Sequence, residues 1–270
     1  VDAIIVGQQN SHVDREYNRE AMADEIIRLT RAQVREYDRR AVEEYGIPGI
    51  ELMRTAARGV AEETIRNFHP KSVLIVCGNG NNGGDGYALA PMLRDVGIQV
   101  SIHRTDPNGK LSPDASYYFS AMKDIPIVGQ LSGEFDLLID AIFGTGLTRA
   151  PEGHHAEVIC EMNASRIPIL AVDVPSGLDC DTGQPLGECI RARMTVTFVA
   201  EKLGFSNPRS REFTGEVVVK AIIVARASRT CVCCEAAAPP LPVAAATNHV
   251  RDARATVTSL PAPDRRSTSI

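Results

Sequence analysis

No uninterrupted apolar run in the 270 residues approaches the roughly 20 that a bilayer span needs, which excludes a transmembrane protein and leaves no membrane partner to expect. Basic excess is lacking as well. The formal charge is -5 and the pI near 5.7, whereas gripping nucleic acid by phosphate neutralisation needs a concentrated surplus of Lys and Arg. No nucleic-acid partner is expected, local patches aside. The cysteines, at positions 77, 160, 180, 189, 231, 233 and 234, lack both the even count and the regular spacing of a disulfide framework. Ala3-Ile4-Ile5-Val6 is too short, and too soon followed by polar residues, to be a secretory apolar region. Reduced thiols in a cytoplasmic protein are the resulting expectation. From Arg226 onward there is no aromatic residue, only Ala-, Pro-, Ser-, Thr- and Arg-rich sequence that cannot bury enough surface to offset its ordering entropy.

What is present is ordinary for a globular chain: 44% hydrophobic and 23% charged residues, enough to bury a core. Residues 1–23 show no sustained period and read as a disordered leader, with Met22 as an alternative start. The foldable unit is then 24–225, and 226–270 is a disordered tail.

Within that unit helix and strand signals alternate. Thr30-Arg31-Ala32-Gln33 is a capping box, opening a helix whose apolar positions Val34, Tyr37, Ala41 and Tyr45 recur every three or four residues until Gly46. Pro48 suits the first turn of a second helix, with Leu52, Met53, Ala56, Val60 and Ile65 inward, stopped by His69-Pro70. Short apolar runs follow at 73–77, 98–103, 135–139, 167–172, 194–199 and 216–219, each trailed by a helical stretch. Strands alternating with helices at this spacing make βαβ units, so the expected class is α/β, Rossmann-like, with a mainly parallel central sheet.

The sharpest motif is Cys77-Gly78-Asn79-Gly80-Asn81-Asn82-Gly83-Gly84-Asp85-Gly86. It leaves a strand and enters a helix, and Gly78, Gly80 and Gly83 satisfy the spacing that lets backbone N–H groups approach a phosphate at a helix N-terminus. A glycine-rich packing turn is the competing interpretation. A conventional NAD dehydrogenase would place an acid about 20 residues on to hold the ribose; here none occurs until Asp106, which disfavours that class.

Two further strands end in an acid followed by glycines: Asp140 before Gly144-Thr145-Gly146, and Asp173 before Ser176-Gly177. In a parallel sheet all strand C-termini share one edge, so Gly78, Asp140 and Asp173 should converge, with Lys202 joining them from the end of another strand. Either aspartate alone could merely cap a helix. Amide, carboxylate and hydroxyl oxygens of Asn82, Asp140 and Ser176 could surround a hard cation, though not zinc.

The motifs CGNGNNGGDG, DAIFGTGL and VDVPSGLD, in that order, resemble those of the NAD(P)H-hydrate epimerase family, the YjeF N-terminal domain, over about 29–224. The resemblance implies a three-layer αβα sandwich, usually a homodimer, that interconverts the R and S epimers of hydrated NADH and NADPH. It implies that Asn81, Asn82, Gly83, Gly84 and Asp85, together with Gly144, Thr145, Gly146, Leu147, Thr148, Arg149 and Ala150, contact the substrate. Asp173 would bind it near the reacting ring and act with Lys202 in catalysis, and Asn82, Asp140 and Ser176 would hold one potassium ion (K+) per subunit. Where the family commonly reads LMENAG, this chain has Leu52-Met53-Arg54-Thr55-Ala56-Ala57, and Leu203 stands where Pro is usual. Many members are fused to a kinase-like dehydratase; the about 45 residues after Val224 are too few for one, so a separate dehydratase is the expected partner activity. The competing function is a non-catalytic nucleotide- or RNA-binding scaffold of the same fold.

Cys231-Val232-Cys233-Cys234 has no second ligand cluster at structural-metal spacing and reads as incidental thiols. His154-His155 reads as a surface pair at a helix start. Cys180 and Cys189 flank a glycine-containing loop and carry no pairing assignment.

Overall fold

A computed structural model describes residues 3–6, 26–131 and 133–225. In chain order the elements are β1 (Ala3–Val6), β2 (Arg28–Leu29), α1 (Arg31–Glu43), α2 (Gly49–Asn67), β3 (Ser72–Cys77), α3 (Asn81–Asp95), β4 (Gln99–Arg104), α4 (Pro113–Ala121), β5 (Ile127–Val128) and β6 (Leu137–Ala141). They continue with α5 (His154–Ala164), β7 (Ile169–Val172), β8 (Met194–Phe198), β9 (Glu201–Lys202), α6 (Arg211–Thr214), β10 (Glu216–Lys220) and β11 (Ile222–Ala225).

Seven strands form one sheet in the order β10-β8-β7-β6-β3-β4-β5, and every pairing in it is parallel. Each of the six apolar runs is a strand of this sheet. The two-residue edge strand β5 was too short to stand out. The sides of the sheet follow from strand alternation. Val73, Ile75 and Cys77 join Leu137, Ile139 and Ala141 in a core with Val60, Leu89 and Ala115 from α2, α3 and α4. Leu74, Val76 and Leu138 face the other way, onto Val158, Ile159 and Met162 of α5. This is the expected three-layer αβα arrangement.

The capping box is present: Thr30 Oγ1 accepts from the backbone N–H of Gln33, and the Gln33 side chain accepts from Thr30 N–H. Pro48 is the N-cap of α2 rather than inside its first turn, and α1 stops before Tyr45, which is exposed. β2 pairs in parallel with β9, setting Leu29 opposite Lys202. That short ribbon brings α1 to the sheet edge where β9 leaves it.

Ala3–Val6 pairs antiparallel with Ile222–Ala225, so those four residues are a strand where the sequence suggested an unstructured leader. The remainder of the leader, the tail 226–270 and the Cys231–Cys234 cluster lie outside the described residues. No helix among the described residues is long and apolar enough to cross a membrane.

Candidate active site

In the strand order, β3 is followed on one side by β4 and on the other by β6, so the chain reverses its direction of winding between β3 and β6. Loops leaving the two strands diverge there and open a crevice at the carboxyl edge. Gly78 N–H donates to Ala141 O at 3.0 Å. A Cβ on Gly78 would overlap the carbonyl oxygen of Ile142, and one on Gly83 that of Gly78, so these glycines let three backbone segments stack. Gly80 instead faces open space and is the N-cap of α3. Packing thus explains two of the three motif glycines, and the third leaves a helix N-terminus bare.

β7 ends at Val172, and Asp173 adopts a left-handed backbone, φ 67°, with its N–H bonded to Val196 O at 2.8 Å. Val199 is also left-handed, φ 70°, a conformation that costs a β-branched residue about 1–3 kcal/mol. That turn returns the chain so that Lys202 reaches inward. Its Nζ lies 2.7 Å from Asp173 Oδ1 and donates to Thr197 Oγ1 at 2.8 Å and Phe198 O at 3.1 Å. Three ammonium hydrogens thus have three acceptors, as a fully buried lysine requires. Thr197 Oγ1 donates onward to Asp173 Oδ1 at 3.2 Å. Asp173 Oδ2 and Asn82 Oδ1 converge over Gly144: a methyl placed there would sit 3.1 Å from one and 3.0 Å from the other.

Asp140 and Ser176 lie behind this surface, both fully buried. Ser176 Oγ donates to Asp140 Oδ1 at 2.6 Å, Ser176 N–H to Oδ2 at 2.8 Å and Ile142 N–H to Oδ1 at 3.2 Å. Burial pushes the Asp140 carboxyl up to about 6 against these donors. No cationic side chain among the described residues pairs with it.

The cavity measures about 790 Å3, within the usual range for small-molecule sites. Of the residues singled out by motif, it is lined by Asn81, Asn82, Asp85, Asp173, Lys202 and the loop Gly144–Arg149. Gly83, Gly84, Ala150, Asp140 and Ser176 are not on its surface; Gly84 packs against Met53 and Ala115, and Ala150 against Gly187. His154 is exposed, but His155 tilts onto Phe143 at 5.1 Å and lines the cavity, so the pair is not merely a surface one. Leu52 and Met53, in the segment that departs from the LMENAG pattern, line it too.

Two functional positions escaped the sequence reading. Val34, Asp38 and Val42 line one wall; spaced four apart, they form one stripe of α1, and counting only apolar positions passes over the middle one. Arg31 sits inside the capping box, yet its Nε donates to Thr145 O at 2.7 Å and its Nη2 to Leu147 O at 2.8 Å and Asp179 Oδ2 at 2.7 Å. It ties the cavity loop to α1.

Five aspartates, Asp38, Asp85, Asp106, Asp114 and Asp173, line the cavity against the cations of Lys202, Arg35 and Arg149. Burial, then the charges of Asp173 and Asp38, push Asp85 well above the ordinary carboxylate range. Burial and Asp173 push Asp38 up to about 6, with Lys202 opposing. Asp38 is exposed where it lines the cavity, so its desolvation is partial. Such a site favours a ligand that develops positive charge, and it can hold protons near neutral pH. Among the described residues no cluster of three or more His, Cys, Asp or Glu forms a metal site. Cys77, Cys160, Cys180 and Cys189 are free thiols; Cys180 and Cys189 share a small apolar cluster without a bond between them.

A parallel α/β sheet with a glycine turn and a bare helix N-terminus at its switch point, and an acid–ammonium pair further along the same edge, defines a Rossmann-like α/β protein. The particular family follows from comparison: residues 49–204 match the model described as YjeF-related protein N-terminus, and the chain belongs to that family. A protein of Limosilactobacillus reuteri named NAD(P)H-hydrate epimerase is 35% identical over 208 residues, 73% of this chain and 95% of the relative. One of Rhodopirellula baltica with the same name is 38% identical over 204 residues, 72% of this chain and 83% of the relative. The crystal structure of a yeast protein superposes with a TM-score of 0.60 at 23% identity, covering 72% of this chain and 87% of that one; it shares the fold.

Proposed function

We propose that the chain is an NAD(P)H-hydrate epimerase, an isomerase that interconverts the R and S epimers of hydrated NADH and NADPH. The observation that carries the reading is the Asp173–Lys202 pair, 2.7 Å apart, at the floor of a cavity whose rim is the bare N-terminus of α3. The N-terminus suits a pyrophosphate; the pair suits the reacting ring. In the substrate, C6 carries a hydroxyl beside the ring nitrogen. When that oxygen takes a proton, the C6–O bond breaks with its electron pair leaving on water, and the nitrogen lone pair forms a C=N bond. Water returning to the other face and losing a proton gives the opposite epimer. Asp173 is the proton-handling group nearest Gly144, and Lys202 with Thr197 fixes one of its oxygens so that Oδ2 meets the ligand. Proton transfer of this kind is worth about 10²–10⁴-fold. A non-catalytic scaffold would have no use for a lysine buried among three acceptors beside a strained aspartate.

Asn82, Asp140 and Ser176 are proposed to hold K+. The residues fit: the ligating atoms are all oxygen, and Asp140 is a fully buried carboxylate without a cationic side chain beside it among the described residues. When bound, the ion would supply positive charge that offsets Asp140 and braces the α3 and β6 loops. Asn81, Gly83, Gly84, Asp85 and Gly144–Ala150 would then shape the substrate site by backbone and side chain. A homodimer, and a dehydratase activity consuming the S epimer, complete the reading.

The test is to supply R-NADHX or R-NADPHX depleted of the S epimer and follow its conversion, with K+ and with K+ replaced by tetramethylammonium. Conversion well above the spontaneous rate, faster with K+, is expected. Tight NAD binding without conversion would reject the enzyme reading.

A further inference from the structure

The ion pair raises a question of proton supply. Asp173 Oδ1 receives the Lys202 ammonium and the Thr197 hydroxyl, so Asp173 is built as an acceptor. Water loss from C6 needs a donor, and inversion needs a second group so that departure and return need not share one face. α1 presents Val34, Asp38 and Val42 to the cavity, and Val34 and Tyr37 pack against Val199 and Ala200, just ahead of Lys202. Asp38 therefore comes from a helix wall, whereas Asp173 comes from the sheet rim. Among the described residues Asp38 makes no hydrogen bond or ion pair, which leaves its carboxyl free for a ligand.

We propose that Asp38 is a second catalytic carboxyl: it protonates the departing C6 oxygen, while Asp173, held by Lys202, accepts the proton of the entering water. This rests on the epimerase reading above. The step balances. One proton leaves Asp38 with the departing water, the C6–O electron pair leaves with it, the nitrogen lone pair closes the C=N bond, and the returning water restores the C6–O bond and gives its proton to Asp173. Nothing is oxidised or reduced. Transfer of that proton back to Asp38 through cavity water, or turnover of the opposite epimer, resets the pair.

Asp173 and Lys202 at the sheet edge and Asp85 on α3 act on Asp38 across the cavity, which Arg35 of α1, Asp106, Asp114, Arg149 and His155 also line. Burial and the charges of Asp173 and Asp38 raise the Asp85 carboxyl, and the step uses Asp38 rather than Asp85. Asp38, pushed up to about 6, can both give and take a proton near neutral pH.

Wild type, Asp38→Asn and Asp38→Glu are to be assayed for R-to-S conversion of NADHX as a function of pH, each with a thermal melt. The expected result for Asp38→Asn is a kcat at least about 100-fold lower, a KM within about threefold, and loss of the decline above pH about 6 that is expected of wild type. Asp38→Glu should recover at least about tenfold of the loss. A folded Asp38→Asn with kcat within about threefold of wild type, or with the alkaline decline unchanged, overturns the assignment. Wild type that leaves both epimers unconverted removes the epimerase reading and this one with it; active wild type with an active Asp38→Asn removes this one alone.

Discussion

Lys202 Nζ lies 2.7 Å from Asp173 Oδ1, and both residues owe their placement to left-handed backbone, at Asp173 itself and at Val199. Burying an ammonium is costly unless every proton is matched. Here all three are matched, by Asp173 after β7 and by Thr197 and Phe198 at the end of β8. Replacing Lys202 with Met should therefore act twice: about 3 kcal/mol of stability is lost as Asp173 is left unpaired, and epimerisation falls about 100-fold or more. Asp173→Asn keeps the hydrogen-bonding shape but leaves the buried Lys202 ammonium without its counter-charge, so it should also lose about 3 kcal/mol of stability, with a larger loss of about 10²–10⁴ in kcat. Chemical denaturation beside the epimerisation assay separates the two effects. A fully active Asp173→Asn would contradict the assignment of that residue.

Much of the architecture was legible because its signals are local. Buried parallel strands read as apolar runs whichever sheet face they serve, and Thr30 with Gln33 announces α1 by capping chemistry alone. Asp173, Asn82 and Lys202 could be gathered onto one edge because parallel strands share their C-terminal side. What stayed hidden depends on tertiary placement. The β2–β9 ribbon has two residues a side, too few for a period. Asp38 looks like any polar residue on an exposed helix until α1 is laid over the cavity. The depth of Asp140 and Ser176, behind the surface rather than on it, depends on the way the β6 and β7 loops fold over one another.

Arg31 offers a test of loop positioning. Its guanidinium spans two carbonyls of the cavity loop and Asp179, a fork that lysine cannot reproduce. Arg31→Ala should cost about 1–3 kcal/mol and raise KM for hydrated NADH about tenfold, with kcat changed less, because no proton passes through Arg31. Arg31→Lys should recover stability through Asp179 but only part of the KM. Equal losses in kcat and KM would assign Arg31 to the chemistry instead.

The glycine turn gives a paired comparison within one motif. A methyl on Gly83 would overlap the Gly78 carbonyl, whereas Gly80 has nothing within 4 Å of the same position. Gly83→Ala should destabilise by about 1–3 kcal/mol through overpacking, and Gly80→Ala by less than about 0.5 kcal/mol. Urea unfolding of both variants measures the contrast; equal effects would mean that the turn is held by something other than this backbone stacking.

The acid cluster links function to stability in a direction opposite to ordinary salt-bridged carboxylates. Asp38 sits near 6 in the folded protein against 3.8 for the free side chain, so between those values the folded state binds more protons than the unfolded one. Its contribution is favourable below pH 3.8, declines as the pH rises through 6, and is unfavourable above, where a charge must be kept beside Asp173. Asp85 is displaced the same way, by burial first and then by Asp173 and Asp38. Asp38→Asn removes that repulsion, and its melting temperature should therefore exceed wild type at pH 8 and approach it at pH 5. The comparison is differential scanning calorimetry at the two pH values, in the same buffer and salt. A gain at pH 8 together with a loss of turnover would mean that the site holds a destabilising charge because the reaction uses it; a variant less stable than wild type at both pH values would show that Asp38 supports the fold instead.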